Sequence, residues 1–357
     1  MHDAFLTKSV AKPGFDVGQA MRWAKATTGK GIARQLAEIA RLAILRSMPP
    51  LDYYLYGLFA PDLSAKERGA FLSDTASMRL NRRLNDKRMS GQLELLRDKV
   101  LAGFVLQALG LPMPRLKAHF STVTRLAEPA TMGTVEEIVA FFHTPGALPA
   151  FGKPVMGSRA LGAASFLELA DDGRAVLLGD GRKVPLAALA ADIAASYPDG
   201  YIFQELMRHG PEMAALAGPT IGMARIVTVQ SDDGPQVLYA LIRFPAPGAM
   251  VDAKVGGRNM VAHLDRETGR ILRVQDMYRM SVSEVELHPE TGARLPGFVL
   301  PHWPECLRLA LQGHAGLPGL GLLGWDIGLS ESGPMVTEAN SNPHGDIYQR
   351  AARRGLL

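Results

Sequence analysis

The sequence predicts an α+β fold in which a helical N-terminal region precedes short strands mixed with helices. Apolar residues recur at helical spacing through the first hundred residues, whereas the segments after Gly110 are mostly short β-rich runs bounded by glycine or proline. Strands and helices do not alternate regularly, as they would in a doubly wound parallel sheet. The length of 357 residues exceeds one average domain, so two or three packed units are expected.

The composition argues against several classes of protein. The 39 basic and 35 acidic residues give a net charge of +4, which is too small to indicate a nucleic-acid partner. Cys306 is the only cysteine, so neither an internal disulfide nor a cysteine-based zinc site is expected, and a cytoplasmic location fits best. A transmembrane segment and a secretory leader are not expected, because the sequence has no run of eighteen uninterrupted apolar residues and does not begin with a basic stretch followed by an apolar run.

Residues 17–48 are predicted to form one amphipathic helix with basic residues on its solvated face, which ends at Pro49 and Pro50. The apolar residues that recur near helical spacing are Ile32, Leu36, Ile39, Leu42 and Ile44. Two interpretations remain open. The helix packs on the protein's own core, or it makes a peripheral contact with a membrane or a partner.

Caps and periodicity predict the other elements. Ser64 and Glu67 are spaced as a capping box, and Thr134 caps a helix whose first turn is acidic. Further helices are predicted for KRMSGQLELLRDKVLAGFVLQALG and PHWPECLRLALQGHA. Strands are predicted for LPMPRLKAHF, VPLAAL, GYIFQEL, ARIVTVQ, QVLYALIRF, NMVAHLD, RILRVQDMY, LGWDIGL and GPMVTEAN.

The segment GWDIGLSESGPMVTEAN gives the strongest indication of chemistry. It places Asp326 on one predicted strand and Glu338 with Asn340 on the next. Because side chains alternate along a strand, Glu338 and Asn340 face the same way in a hairpin, and Asp326 can lie opposite them. Such oxygen ligands suit Mg²⁺, with Mn²⁺ as an alternative. A solvated polar face is the other interpretation, and the apolar residues that flank the polar ones argue against it: Trp325, Ile327 and Val336.

The segment FGKPVMGSRALGAASFLEL indicates a loop that covers a nucleotide. Lys153 precedes Gly157, Ser158 and Gly162. Glycines let backbone N–H groups approach a phosphate closely, and the lysine adds a positive charge. The spacing matches neither of the common phosphate-binding fingerprints, so an ordinary glycine hairpin remains an alternative.

A third segment, GYIFQELMRHGPE, ends a predicted strand at Gln204, Glu205 and Leu206. These residues can present backbone groups to a purine edge, while Glu212 reaches a ribose; a plain junction between strand and loop is the alternative. Further along, two arginines lie within otherwise apolar strands, Arg225 and Arg243. Each needs an anionic partner, either a structural carboxylate or a phosphate, because an unpaired charge there would be costly.

In this order the segments resemble the ATP-grasp superfamily, and most of all its sugar-transfer-associated family, which is related to alpha-L-glutamate ligase-like proteins. The resemblance covers residues 86–349. RDKVLAGFVLQALGLPMP is similar to the family's lysine-helix-proline entry, which places Lys99 near the nucleotide phosphates. The resemblance also assigns the phosphates to Lys153 and residues 157–162, adenine to Gln204, Glu205 and Leu206, ribose to Glu212, the transferred phosphate to Arg225, and Mg²⁺ to Asp326, Glu338 and Asn340.

The resemblance implies an ATP-grasp fold of two α+β subdomains that clasp ATP. The helical region would span residues 1–85, the N-terminal and lid subdomains 86–205, and the C-terminal subdomain 206–357. The implied enzyme is an ADP-forming ligase that activates a small carboxylate as an acyl phosphate for an amine or another nucleophile, in the context of surface polysaccharide or glycan modification. A kinase acting on a hydroxyl, for instance of a sugar, and a non-catalytic nucleotide-binding scaffold are the alternatives.

Two departures from the family pattern concern the acceptor substrate. TIGMAR stands where related sequences read S-V-N-T-x-R, and Ala253 stands where an asparagine commonly follows the aspartate. The residues for ATP and metal are intact, so the acceptor substrate is what the sequence leaves open, together with the oligomeric state.

Overall fold

The computed structural model describes Leu6 and residues 16–89, 91–123, 126–157, 160–251, 260–278 and 281–357. This part of the chain folds into an N-terminal set of helices followed by two seven-stranded sheets. None of the helices so described is both long enough and apolar enough to cross a membrane.

The N-terminal helices are α1 (Val17–Thr28), α2 (Ile32–Arg46), α3 (Pro50–Leu55), α4 (Ala65–Gly69), α5 (Asp74–Leu84), α6 (Gly91–Leu95) and α7 (Lys99–Ala108), with a 3-10 turn at Lys87–Met89. The prediction of one helix over residues 17–48 was wrong. Gly29 ends α1 with a φ of 72°, a left-handed conformation that favours glycine, and a new helix starts after Gly31. The predicted capping box at Ser64 and Glu67 is confirmed.

The helix predicted across KRMSGQLELLRDKVLAGFVLQALG is also interrupted. Asp98 begins α7 as its N-cap, because its carboxylate accepts hydrogen bonds from the backbone N–H groups of Val100 and Leu101. This cap fixes Lys99 at the first position of α7. Val100 packs with Val155 and the first sheet, whereas other residues of α7 join the core of the second sheet. Helix α7 therefore lies between the two sheets.

The first sheet contains β1 (Leu116–Phe120), β2 (Thr131–Met132), β3 (Ala150–Pro154), β4 (Ala164–Ala170), β5 (Ala175–Leu178), β6 (Lys183–Pro185) and β7 (Tyr201–Glu205), in the order β2-β1-β7-β3-β4-β5-β6. Its strands pair antiparallel except β1 with β2. Helices α8 (Val135–Phe142) and α9 (Leu186–Ser196) pack on its apolar face, and a 3-10 turn occupies Asp171–Gly173. The predicted cap at Thr134 is confirmed.

The strand predicted for VPLAAL was wrong beyond Pro185. Leu186 is the first residue of α9, and its buried positions recur at helical spacing: Leu186, Leu189, Ala190 and Ile193. A run of alternating apolar residues and alanines fits both periods when it is short, and only the longer stretch that follows favours a helix.

The second sheet contains β8 (Met223–Ser231), β9 (Gly234–Phe244), β10 (Met260–Leu264), β11 (Ile271–Tyr278), β12 (Ser281–Glu284), β13 (Leu322–Ser330) and β14 (Gly333–Asn340), in the order β12-β11-β10-β9-β8-β13-β14. Helices α10 (Pro211–Ala217), α11 (Trp303–Ala315) and α12 (Asp346–Ala352) complete this half. The predicted α+β class without regular alternation is confirmed, and β13 with β14 forms the predicted hairpin.

Candidate active site

The β13–β14 hairpin brings the three predicted metal ligands onto one face. Asp326 pairs with Glu338 across the ladder, and Asn340 Nδ2 donates a hydrogen bond to Asp326 Oδ2 at 3.2 Å. A shift of register follows Asp326, and there Thr337 Oγ1 donates to the carbonyl oxygen of Asp326 at 3.1 Å. The flanking apolar residues are fully buried in the core: Trp325, Ile327 and Val336. These contacts hold the carboxylate-bearing face of the hairpin in a defined position.

Asp326 is a buried carboxylate with several cationic or polar neighbours. Arg225 on β8 donates to it twice, from Nε to Oδ1 at 2.7 Å and from Nη2 to Oδ2 at 2.6 Å, and Arg243 Nη2 lies 3.9 Å from Oδ2. Burial by itself would raise the pKa of Asp326, but Arg225, Arg243 and the hydrogen bonds hold that pKa below its usual value. Of the two partners that the sequence left open for Arg225, the structure shows the carboxylate.

Two lysines approach the same face from the first sheet and from α7. Lys153 Nζ donates to the carbonyl oxygen of Thr337 at 3.3 Å, and Lys99 Nζ lies 4.0 Å from Glu338 Oε1. Burial, with a smaller contribution from the charge of Lys99, lowers the pKa of Lys153 to about 8, although the carboxylates of Glu338 and Asp326 oppose the shift. The two lysines and the three predicted metal ligands thus meet in one place, although they come from positions far apart in the chain.

The charges at this place are unbalanced. Lys99, Lys153, Arg225 and Arg243 carry four positive charges, against two negative charges on the two carboxylates, which leaves a net charge of +2. Asp326, Glu338 and Asn340 offer the hard oxygen donors that Mg²⁺ prefers, so the residues fit this ion chemically. The formal surplus of positive charge on these six side chains suits an anionic ligand.

The glycine loop between β3 and β4 is held at both of its ends. Lys99 Nζ donates to the carbonyl oxygen of Gly157 at 2.8 Å, and Tyr201 Oη donates to that of Gly162 at 2.8 Å. The φ angles of 140° and 74° at these two glycines are left-handed values that other residues rarely adopt. Ser158 lies outside the described residues. Lys99 therefore contacts both the glycine loop and the hairpin face.

The predicted adenine-binding segment lies at the end of β7. Gln204 is buried and pairs with Leu116 on β1 and Phe151 on β3, whereas Glu205 is exposed and Leu206 is half-buried. Gln204 and Lys99 line the same cavity, which contains about 330 Å³ of empty space including open solvent. An adjoining cavity of about 230 Å³ reaches the hairpin face and is lined by Lys99, Met113, Thr337, Glu338 and Ala339.

Lys99 and Met113 line both cavities, which together lead from the predicted adenine segment to the predicted metal ligands. Glu212 lies in the first turn of α10 and is exposed. The structure therefore brings Gln204, Lys99 and the hairpin residues along one path, and Glu212 is not among the residues that line either cavity.

Three residues of this region were not anticipated from the sequence. Thr337 supplies the carbonyl oxygen that Lys153 contacts, and Met113 lines both cavities. His209 is buried and connects Gly218 with Gly222, accepting from the N–H of Gly222 at 2.8 Å, so it fixes the loop that carries α10. The sequence signal that could have indicated His209 is its position shortly after the strand that ends at Glu205. His344, which follows β14, has its Nδ1 2.8 Å from Asp74 Oδ1 on α5.

Comparisons with solved structures give weak likenesses. N5-carboxyaminoimidazole synthase from Aspergillus clavatus, in complex with ADP and 5-aminoimidazole ribonucleotide, has 13% identity and a TM-score of 0.38, over 79% of this chain and 57% of that one. L-amino acid ligase from Bacillus licheniformis has 14% identity and a TM-score of 0.35, over 71% of this chain and 42% of that one. VanG D-Ala:D-Ser ligase from Enterococcus faecalis has 14% identity and a TM-score of 0.43, over 73% of this chain and 57% of that one.

The chain spans about half the length of these solved proteins. None of the curated proteins compared with it matches. A family model described as sugar-transfer associated ATP-grasp matches residues 75–357, which is well over half of the 357 residues. On that match, and with two α+β units meeting at the lysines and the β13–β14 hairpin, the chain belongs to the sugar-transfer associated ATP-grasp family.

Proposed function

We propose that this protein is an ATP-dependent, ADP-forming ligase, which activates a carboxylate as an acyl phosphate for attack by an amine or another nucleophile. The observation that carries the proposal is the convergence of two lysines and two arginines on the carboxylate-bearing face of the β13–β14 hairpin. Membership of an ATP-grasp family supports ATP as the anionic ligand of this positive site. Modification of a surface polysaccharide or glycan is the proposed context, in line with the family's description.

In this proposal the two cavities that adjoin at Lys99 hold the nucleotide. The end of β7, at Gln204, Glu205 and Leu206, contacts adenine, and Glu212 contacts the ribose. Lys99 and Lys153 bind the phosphates, and the glycine loop from Gly157 to Gly162, which includes Ser158, covers them. Lys99 already contacts Gly157, so it would exchange a carbonyl oxygen for phosphate oxygens when the nucleotide binds.

Asp326, Glu338 and Asn340 are proposed to hold Mg²⁺, which would neutralise phosphate charge and orient the terminal phosphate. Because the six charged side chains have a formal net charge of +2, we expect the ion to arrive together with the nucleotide rather than before it. Arg225 keeps Asp326 ionised and in place through its two hydrogen bonds. Arg243, whose Nη2 lies 3.9 Å from Oδ2 of the same carboxylate, is proposed to stabilise charge on the transferred phosphate.

The first step forms a bond between a carboxylate oxygen of the substrate and the terminal phosphorus of ATP, and breaks the bond from that phosphorus to the oxygen that leaves on ADP. In the second step the nucleophile attacks the carbonyl carbon, phosphate leaves and the nucleophile loses a proton. A substrate carboxylate is already ionised, so the first step needs positioning and positive charge but no general base. The charge of Arg225 helps to hold the pKa of Asp326 below its usual value, which makes this carboxylate a poor base for a hydroxyl acceptor and favours a ligase over a kinase.

The test is ADP formation from Mg-ATP by the purified chain, with a matrix of carboxylic acids combined with amines or sugars. ADP that forms only when an acid and a nucleophile are both present, with a condensed product of matching mass, supports the ligase. ADP that forms with a sugar alone, together with a phosphorylated product, would identify a kinase instead. A chain that binds no ATP in calorimetry would overturn the nucleotide site itself.

A further inference from the structure

Helix α2 exposes a long apolar face to solvent. Its buried side is formed by Gln35, Ile39 and Leu42, which pack into the N-terminal core. On the other side the exposed fraction is 52% for Leu36 and 83% for Ile44. At 100° per residue, the following exposed residues fall on one continuous arc: Ile32, Ala33, Leu36, Ala37, Ala40, Ala43 and Ile44. This helix is therefore apolar on two sides, of which the protein itself covers one.

Helices α1 and α2, with the residues that adjoin them, contain the excess positive charge of the chain. Exposed Arg34 and Arg41 border the apolar arc. Residues 16–46 contain six lysines and arginines and two acidic residues, a net charge of +4. Since the whole chain has 39 basic and 35 acidic residues, the remainder has 33 of each and is neutral. The excess charge is thus concentrated on α1 and α2.

We propose that the exposed face of α2 docks onto an anionic lipid bilayer, with the helix in the plane of the interface. A basic amphipathic helix with an apolar face binds such a surface because the apolar side chains enter the acyl boundary while the cations contact lipid phosphates. Fifteen residues make a helix of about 22 Å, which gives a footprint of several headgroups. A second copy of the chain fits less well, because a symmetric pairing of α2 with α2 would bring Arg34 and Arg41 of both copies together.

This surface is independent of the proposed ATP site. Helix α2 packs against α1, α3 and α4, and its buried residues belong to a separate N-terminal cluster rather than to either sheet. Variants on its exposed face should therefore leave nucleotide binding unchanged. Lipid binding and ligase activity can fail separately, so the two proposals are tested separately.

The experiment is flotation of the full chain with vesicles, either of phosphatidylcholine alone or of phosphatidylcholine with an equal amount of phosphatidylglycerol. We expect at least roughly 10-fold stronger partitioning onto the anionic vesicles. Leu36→Glu with Ile44→Glu should weaken it by roughly 30-fold or more, and Arg34→Gln with Arg41→Gln by roughly 25-fold. The matched control is Leu287→Glu, at an exposed leucine of the second half, which should bind like the unchanged chain.

Circular dichroism and ATP binding are measured on each variant, so that a folding defect is recognised. Absence of flotation with anionic vesicles, or equal flotation of the Leu36→Glu/Ile44→Glu variant and the unchanged chain, would overturn the proposal. The proposal would also be overturned if the chain does not float with vesicles and light scattering shows a dimer that the Leu36→Glu/Ile44→Glu variant dissociates. Flotation that high salt abolishes in the unchanged chain supports the electrostatic part.

Discussion

Lys153 is the residue whose removal tests the electrostatics of the site most directly. Its ammonium group is packed between the two sheets and donates to the carbonyl oxygen of Thr337 at 3.3 Å. Burial lowers its pKa from 10.5 to about 8. At pH 7 the group is charged in both the folded and unfolded chain, and a shift of this size corresponds to about 3 kcal/mol that the folded protein loses by keeping the charge.

Lys153→Met should therefore stabilise the ATP-free protein at pH 7. The variant relieves the buried charge but loses the hydrogen bond to Thr337, which contributes about 1 kcal/mol, so we expect the free energy of unfolding to rise by about 1–2 kcal/mol. Because the folded pKa lies below the unfolded one, the cost is full below about pH 8 and disappears as the pH rises towards 10.5. The advantage of the variant should shrink over that range. Urea unfolding at several pH values measures it.

ATP binding should change in the opposite direction. Phosphate oxygens would replace a carbonyl oxygen as partners of Lys153, and a charge-assisted hydrogen bond contributes about 1.5–3 kcal/mol, so Lys153→Met should weaken ATP by roughly 10- to 150-fold. Lys183→Met is the matched control, because Lys183 lies on the same sheet in an exposed pair with Asp171. A Lys153→Met protein that is less stable than the unchanged chain and binds ATP equally well would refute the reasoning.

Three further predictions concern other parts of the molecule. Asp326→Asn leaves Arg225 buried without its carboxylate, so unfolding free energy should fall by about 2–4 kcal/mol and ADP formation by at least roughly 100-fold; unchanged turnover would end the assignment of the site. Burial and nearby carboxylates raise the pKa of Asp52 to about 6, so the free energy of unfolding should fall as the pH rises from about 4 through 6. In urea unfolding, Asp52→Asn should abolish that fall and raise the free energy of unfolding by roughly 1 kcal/mol at pH 7. Gly162→Ala places a Cβ atom against the ring of Tyr197 at a residue whose φ is 74°, so the ATP affinity measured by calorimetry should drop. Gly146→Ala is the control: Gly146 has a similar φ but open space around it, so this variant should leave the affinity unchanged.

The order in which Mg²⁺ and ATP bind can be tested by thermal unfolding. Mg²⁺ alone should leave the melting temperature unchanged, because the charged side chains around the proposed ligands have a formal net charge of +2, whereas Mg-ATP should raise it. Differential scanning fluorimetry with Mg²⁺, ATP and both together distinguishes these cases. A rise with Mg²⁺ alone would show that the four cations do not control metal entry.

The hairpin at the end of the chain could be predicted because its signals are local. Strand periodicity of two fixes which residues share a face, and the glycines and serines between the strands mark the turn. The apolar neighbours of Asp326 were expected to be buried and are. Caps at Ser64 and Thr134 are local in the same sense, since each lies three residues from the glutamate that completes it.

The contacts that join the site could not be predicted, because they are separated by long stretches of chain. Arg225 and Asp326 are 101 positions apart, and Lys153 and Thr337 are 184 apart. The sequence indicated that Arg225 needs an anion, but only the pairing of β8 with β13 decides that the anion is Asp326. The break between α1 and α2 was missed although Gly29 and Gly31 mark it, because the apolar residues on which the helix prediction rested all lie after Gly31.

One buried amide couples the helical region to the second sheet. Asn81 on α5 accepts from the backbone N–H of Leu322, where β13 begins, and donates to the carbonyl oxygen of Ser341, just after Asn340. A fragment that starts after α5 would lose both hydrogen bonds of Asn81, so the turn after the proposed metal ligands would be less stable. Helix α5 therefore stabilises the part of the second sheet that contains the proposed metal ligands. We expect α5 and this sheet to unfold in a single cooperative transition.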